Sequence, residues 1–364
     1  MCGALWAGIV SVVYRCLDIS PGLVLIVLLF TLVASGLGAL PFQRKINRRG
    51  RMGVFSILRS MTACRRISSE AVGKGGVDCC NVVDTEMDSY VNSVWDDQAT
   101  RRNTASSPNG VRGAFLDDSV ASFSRGGLVV SMDGRVMYKT NQDRGLVAHP
   151  ALGREDQAIF GIFDAGHGEN GEHVASFAAL EIPLRLAQHP ELEYDPASAL
   201  RDVFQDVNDS LPEAGINAVF GGSTAVVALI RGQKVLMANV GDSRAIVATR
   251  GQGGGIMGRA LTWDQNPNLP GERERIEAAG GFVSIPEEEG ASSRVWLDAT
   301  KSMVGLAMAR SIGDLAVKQV GVIAEPEVTE YDIMDRDEFL LLASDGVWEF
   351  ISNQEVCWGG GGRQ

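Results

Sequence analysis

FGIFDAGHGENGEHVA, residues 160–175, is the stretch on which the fold turns. It begins inside an apolar, β-prone run, 158–163, that stops at Asp164. Glycines 166, 168 and 171 then punctuate a turn, and from residue 172 the pattern changes to an amphipathic helix reaching 188. A carboxylate therefore stands at the end of a buried strand, where water solvates it poorly.

The same texture recurs on both sides. Short apolar runs at 223–230, 234–240, 244–249 and 338–343 end in Gly or Asp turns, and further amphipathic helices are expected at 197–211 and 271–279. The last of these stops at Gly280-Gly281, a glycine terminus. The runs 234–240 and 244–249, joined around Gly241-Asp242-Ser243, read as a hairpin. Strands in hairpins with segregated helices point to an α+β fold, with helices covering stacked antiparallel sheets.

Two further acids share the position of Asp164. Asp345 follows EFLLLAS, and Asp143 follows a strand candidate at 135–142. Several carboxylates gathered at strand ends repel one another unless a cation neutralises them. Hard oxygen donors suit Mg²⁺ or Mn²⁺, and two such ions can activate water and polarise a phosphoryl group. Taken singly, each of these residues also fits an ordinary turn aspartate.

Six or more segments in order resemble the blocks of the metal-dependent protein phosphatase 2C family. Residues 160–175 resemble its Asp-Gly-His-Gly block. GGSTAVVALI at 221–230, VLMANVGDSRAIVA at 235–248 and LTWDQNPNLPGERERIEAAGGFV at 261–283 follow, then LAMARSIGD at 306–314, VIAEPEV at 322–328 and FLLLASDGVWEF at 339–350.

The resemblance implies a four-layer α/β/β/α sandwich of two antiparallel sheets flanked by helices. It implies hydrolysis of phosphoserine and phosphothreonine on protein substrates by a metal-activated water, with two or more Mg²⁺ or Mn²⁺ ions. Asp164 would bridge the ions, and the carbonyl of Ala165 or Gly166 would help hold one. Asp345 would be a further ligand, Asp143 would act through bound water, and Asp314 would serve a third, weaker ion. His167 would protonate the leaving oxygen, a role suited to a group that titrates near neutrality. Asp242 and Arg244 read as stabilising a turn, and Glu272 with Arg275 as a charge pair at a helix start.

The chain also departs from the family pattern. Ala165 is an extra residue between Asp164 and Gly166, and a shift of about 1 Å there bears directly on catalytic geometry. Tyr138 stands where some members carry a phosphate-gripping arginine, Gln142 replaces a glutamate, and Gln265-Asn266 replaces His-Lys. Beyond 352–356 the family continues into a helix, a metal-binding Asp-Asn motif and closing strands. Here the sequence reads CWGGGGRQ, so the expectation is a domain lacking its last strands. A catalytically impaired pseudophosphatase that binds partners is the alternative to an enzyme. A faulty gene reading at 165 and beyond 356 is a third account.

The expected organisation is an anchor with a basic flank at 1–51, a linker or unassigned stretch at 52–125, a truncated phosphatase-like domain at 126–356 and a Gly-rich tail at 357–364. Residues 19–43 carry no charge, long enough to cross a bilayer core of about 30 Å. RKINRRGR follows at 44–51, which would keep the rest of the chain cytoplasmic. A cleaved signal peptide, or a start at Met52 that removes the span and leaves a cytoplasmic protein, are the other readings.

Of six cysteines, five precede residue 81 and none forms a CxxC pair, which excludes a disulfide framework or zinc site and fits a reducing compartment. The net charge of −12 argues against a nucleic-acid binder, which normally shows a basic face. A monomer is expected.

Overall fold

The computed structural model describes strand segments at 9–10 and 93–95, residue 120 and residues 122–358 except 123, 126–127, 131–134, 139, 155, 166–167, 169 and 287–291. The apolar run at 19–43 lies outside these residues. Among the described residues no helix is long and apolar enough to cross a membrane.

Among the described residues, nine strands build two antiparallel sheets. They are β1 (Ser93–Trp95), β2 (Arg144–Ala148), β3 (Gln157–Phe163), β4 (Ala225–Arg231), β5 (Lys234–Val240), β6 (Arg244–Arg250), β7 (Ile256–Ala260), β8 (Glu327–Asp332) and β9 (Asp337–Ala343). The larger sheet has the order β8-β5-β4-β3-β2-β1 and the smaller β7-β6-β9. The edge strand β1 comes from the stretch read as linker or unassigned.

The helices are α1 (Gly171–Gln188), α2 (Pro196–Ser210), α3 (Pro270–Ala278), the single turns α4 (Leu315–Lys318) and α5 (Asp345–Trp348), and α6 (Asn353–Trp358). Asp195 caps α2 by accepting from the Ser198 N–H at 2.9 Å, and Pro196 supplies a pre-set first residue.

Side-chain alternation assigns the layers. Ile159 and Phe163 of β3, Val227 and Leu229 of β4, and Leu236 and Ala238 of β5 pack with Val174, Ala178, Ile182, Leu200 and Phe204 of α1 and α2. Their neighbours Phe160, Ile162, Val226, Ala228, Val235 and Met237 face Ala245, Val247, Leu340 and Leu342 of the smaller sheet. The other face of that sheet, with Ile246, Ala248, Leu341 and Ala343, is covered by Val347, Trp348, Val356 and Cys357. The order is helix, sheet, sheet, helix, as expected. The strands read as continuous apolar runs because both of their faces are buried.

The expected helices agree with α1, α2 and α3 to within a residue at each end. Three expectations need correction. The turn at 241–243 is not a hairpin: β5 belongs to the larger sheet and β6 to the smaller, so the chain turns a corner between layers. Gly241 makes that corner at φ 102°, where a Cβ would sit 2.6 Å from Thr224 Cγ2. The strand candidate at 135–142 is confined to Val136–Tyr138, paired with Leu128–Val130, and Asp143 instead precedes β2. Finally, Cys357 and Trp358 continue α6 rather than beginning a glycine-rich tail.

Smaller ladders complete the fold: Ile9–Val10 with Ser124–Arg125, Gly222–Ser223 with Ile312–Gly313, and Phe282–Ser284 with Arg294–Trp296. The last lies beside a separate apolar cluster of Ile276, Val295, Leu306, Met308 and Val322.

Candidate active site

One end of the sandwich collects the acids. The ladder between β2 and β3 closes on the pair Arg144–Phe163, so Asp143 and Asp164 each stand one residue beyond it. β6 and β9 close on Arg244–Ala343, with Asp242 two residues before that pair and Asp345 two residues after it. Antiparallel pairing brings alternate strand ends to one rim, and the corner at Gly241 joins the two sheets there.

Asp164 is held through its backbone. Its N–H donates to Thr224 Oγ1 at 3.1 Å, and its carbonyl accepts from the Thr224 N–H at 2.8 Å. The hydroxyls of Thr224 and Ser243 hydrogen-bond at 2.7 Å, tying Asp164 to the corner that carries Asp242. The corner is braced again by Gln265, which is buried. Its Oε1 accepts from the Gly241 N–H at 2.8 Å, its Nε2 donates to the Asn239 carbonyl at 3.0 Å, and its N–H donates to the Gly241 carbonyl at 3.0 Å.

The carboxyl of Asp345 is buried close to that of Asp164, at the rim where the two sheets meet. Burial raises the Asp345 pKa well above the usual carboxylate range, and the charges of Asp164, Asp242 and Glu349 push it further the same way. Burial, then Asp164, likewise raises Glu349. Acids packed this closely repel one another unless a proton or a cation offsets their charge. The donors are all hard oxygens from three chain segments, a chemistry that fits Mg²⁺ or Mn²⁺. Among the described residues, however, no three acidic, histidine or cysteine side chains already form a coordinating group.

The Asp143 N–H donates to Asn141 Oδ1 at 3.1 Å, and its carbonyl accepts from Arg144 Nη1 at 2.9 Å. Arg144 also reaches Glu172 Oε1 at 2.6 Å and Ser176 Oγ at 3.0 Å, joining the start of β2 to the first turn of α1. Asp314 is buried in a left-handed conformation, its carboxylate against the backbone of Gly222, and its charge acts on Lys318.

The extra residue Ala165 is fully buried in the core beneath α1, with its carbonyl oxygen against Gly171. A Cβ on Gly171 would come within 2.8 Å of that oxygen, so glycine there makes room for the additional residue. Gly166 and His167 lie outside the described residues.

Asp242 and Glu349 are the site residues that sequence reasoning passed over. Asp242 read as a turn residue, although its position after an apolar strand was the same signal that singled out Asp164. Glu349 lies one helical turn beyond Asp345, a spacing that sets two side chains on one face.

The family model for protein phosphatase 2C matches residues 123–358. Similar curated proteins include probable protein phosphatase 2C 72 of Arabidopsis thaliana, 37% identical over 252 residues covering 65% of this chain and 75% of that protein. Probable protein phosphatase 2C 64 of Oryza sativa subsp. japonica is 38% identical over 248 residues, covering 63% of this chain but only 58% of that protein. Among solved structures, the serine-threonine phosphatase 2C from Toxoplasma gondii superposes with a TM-score of 0.53 at 22% identity, over 60% of this chain and 77% of that one, a likeness of fold.

Proposed function

This chain belongs to the protein phosphatase 2C family, and from that premise we propose that it hydrolyses phosphoserine and phosphothreonine on proteins with Mg²⁺ or Mn²⁺. The observation that carries the reading is the convergence of Asp164, Asp242, Asp345 and Glu349 at one rim of the two sheets, where the other three act on the buried Asp345. In this reading Asp164 and Asp345 hold the ions, assisted by Asp143, Asp242 and Glu349. Divalent ions, when bound, supply charge neutralisation and a more acidic water at neutral pH.

The chain's own residues do the rest. Thr224 and Gln265 keep Asp164 and the Asp242 corner in register. Arg144 orients the Asp143 backbone. His167 donates the proton to the departing serine or threonine oxygen. Ala165 or Gly166 contributes a carbonyl, and Asp314 serves as an outlying acid beside Gly222. The catalytic unit occupies 123–358, the residues the family model matches, with the preceding segments and any membrane attachment through 19–43 serving placement.

The test is Mn²⁺-dependent phosphate release from a phosphothreonine peptide by the full chain. Asp164→Asn and Asp345→Asn should each abolish it. A second reading, a pseudophosphatase that binds partners without turnover, is favoured by the extra residue Ala165 between Asp164 and Gly166. Peptide binding without phosphate release at saturating Mn²⁺ would select it.

A further inference from the structure

Arg244 opens β6 two residues after Asp242, and its guanidinium is engaged on three sides. Nε and Nη2 donate to the two carboxylate oxygens of Asp264 at 2.7 and 2.5 Å. Nη1 donates to Asn353 Oδ1 at 2.9 Å, at the start of α6. The guanidinium carbon lies over the Trp348 ring, 5.1 Å from its centroid. Trp348 is itself fixed, its Nε1 donating to the Ala343 carbonyl at 2.8 Å. Between these two anchors runs the turn α5, with Asp345 at its first residue and Glu349 immediately after Trp348.

One side chain thus links the corner bearing Asp242, the segment after β7 and the turn bearing Asp345 and Glu349. Its charge is matched by Asp264 in the two-pronged geometry that only a planar guanidinium offers. What it contributes to the acids is therefore geometry. A lysine keeps the charge but loses both the fork and the flat face that stacks on indole.

We propose that Arg244 is a positioning residue that sets Asp242 against Asp345 and Glu349 and thereby determines how tightly this site holds a divalent cation. The inference rests on the metal-dependent reading above and deepens it.

The experiment measures Mn²⁺ binding to the full chain by titration calorimetry, at a temperature where circular dichroism reports each protein folded, beside thermal unfolding in chelator. Arg244→Lys should weaken Mn²⁺ binding about tenfold, the scale for residues that orient metal ligands. Asn353→Ala, which removes one arm and leaves the stack, should weaken it less. The Mn²⁺ concentration for half-maximal phosphate release should rise in parallel with the dissociation constant. A lowered melting temperature in chelator with wild-type Mn²⁺ affinity in both variants would make Arg244 merely structural and overturn the proposal. A wild-type chain that takes up no Mn²⁺ would instead overturn the phosphatase reading on which it rests.

Discussion

At Asp345 burial and three neighbouring acids act in the same direction, so the folded protein holds its proton more tightly than the unfolded chain does. The associated stability is fully present below the ordinary carboxylate pKa, about 3.9, and is lost as pH rises through the raised folded value. In chelator, the full chain should therefore lose stability as pH rises from about 4 through the raised folded value. Mn²⁺ replaces the proton, so the rise in melting temperature that it produces should grow over the same interval. Asp345→Asn should flatten both trends, and thermal unfolding at pH 5 and pH 7.5 with and without Mn²⁺ reads all of this. Thr224 is a second residue-scale case. Thr224→Val removes the acceptor for the Asp164 N–H and the partner of Ser243, leaving buried polar groups unpaired. Denaturant unfolding should register about 1–3 kcal/mol, and Mn²⁺ affinity should fall with it.

Elements are joined at corners more than by their own propensity. Gly241→Ala puts a methyl against Thr224 at a φ that L residues avoid, and should cost about 1–3 kcal/mol by urea unfolding. Helix α3 gives the opposite lesson. Glu272 and Arg275 read as a charge pair at a helix start, worth tenths of a kcal/mol, but Glu272 is buried and also receives Arg310 through Nη2 at 2.6 Å and Nε at 3.0 Å. Burial pushes its carboxyl up, and the guanidiniums of Arg310 and Arg275 outweigh that and hold it below the usual range. Glu272→Ala leaves two guanidiniums without their carboxylate, and should cost about 3–5 kcal/mol, measured by the same unfolding assay.

Across the whole molecule, the two sheets share a core in which Phe160, Ile162, Val226, Val247 and Leu342 interdigitate. Phe160→Ala should cost about 3–5 kcal/mol in chemical denaturation, and it should lower Mn²⁺ affinity as well, because Asp164 and Asp345 hang from opposite sheets. Strands, helices and the layer order were legible in the chain, since apolar runs closed by Gly and Asp record burial on two faces. The acids at 164 and 345 were legible for the same reason: a charge that ends a buried strand is conspicuous. Which strands pair was not legible, because β5 and β6 are adjacent in sequence and separate in space, and local pattern carries no information about the layer a strand enters. Nor were the partners of Asp345 and Arg244, which come from segments more than a hundred residues apart and meet only when both sheets are stacked. The sequence by itself determined what each segment could bury and which chemistry the strand ends carried. The tertiary structure alone decided which charges face one another, because electrostatic coupling depends on distances that close only after the layers pack.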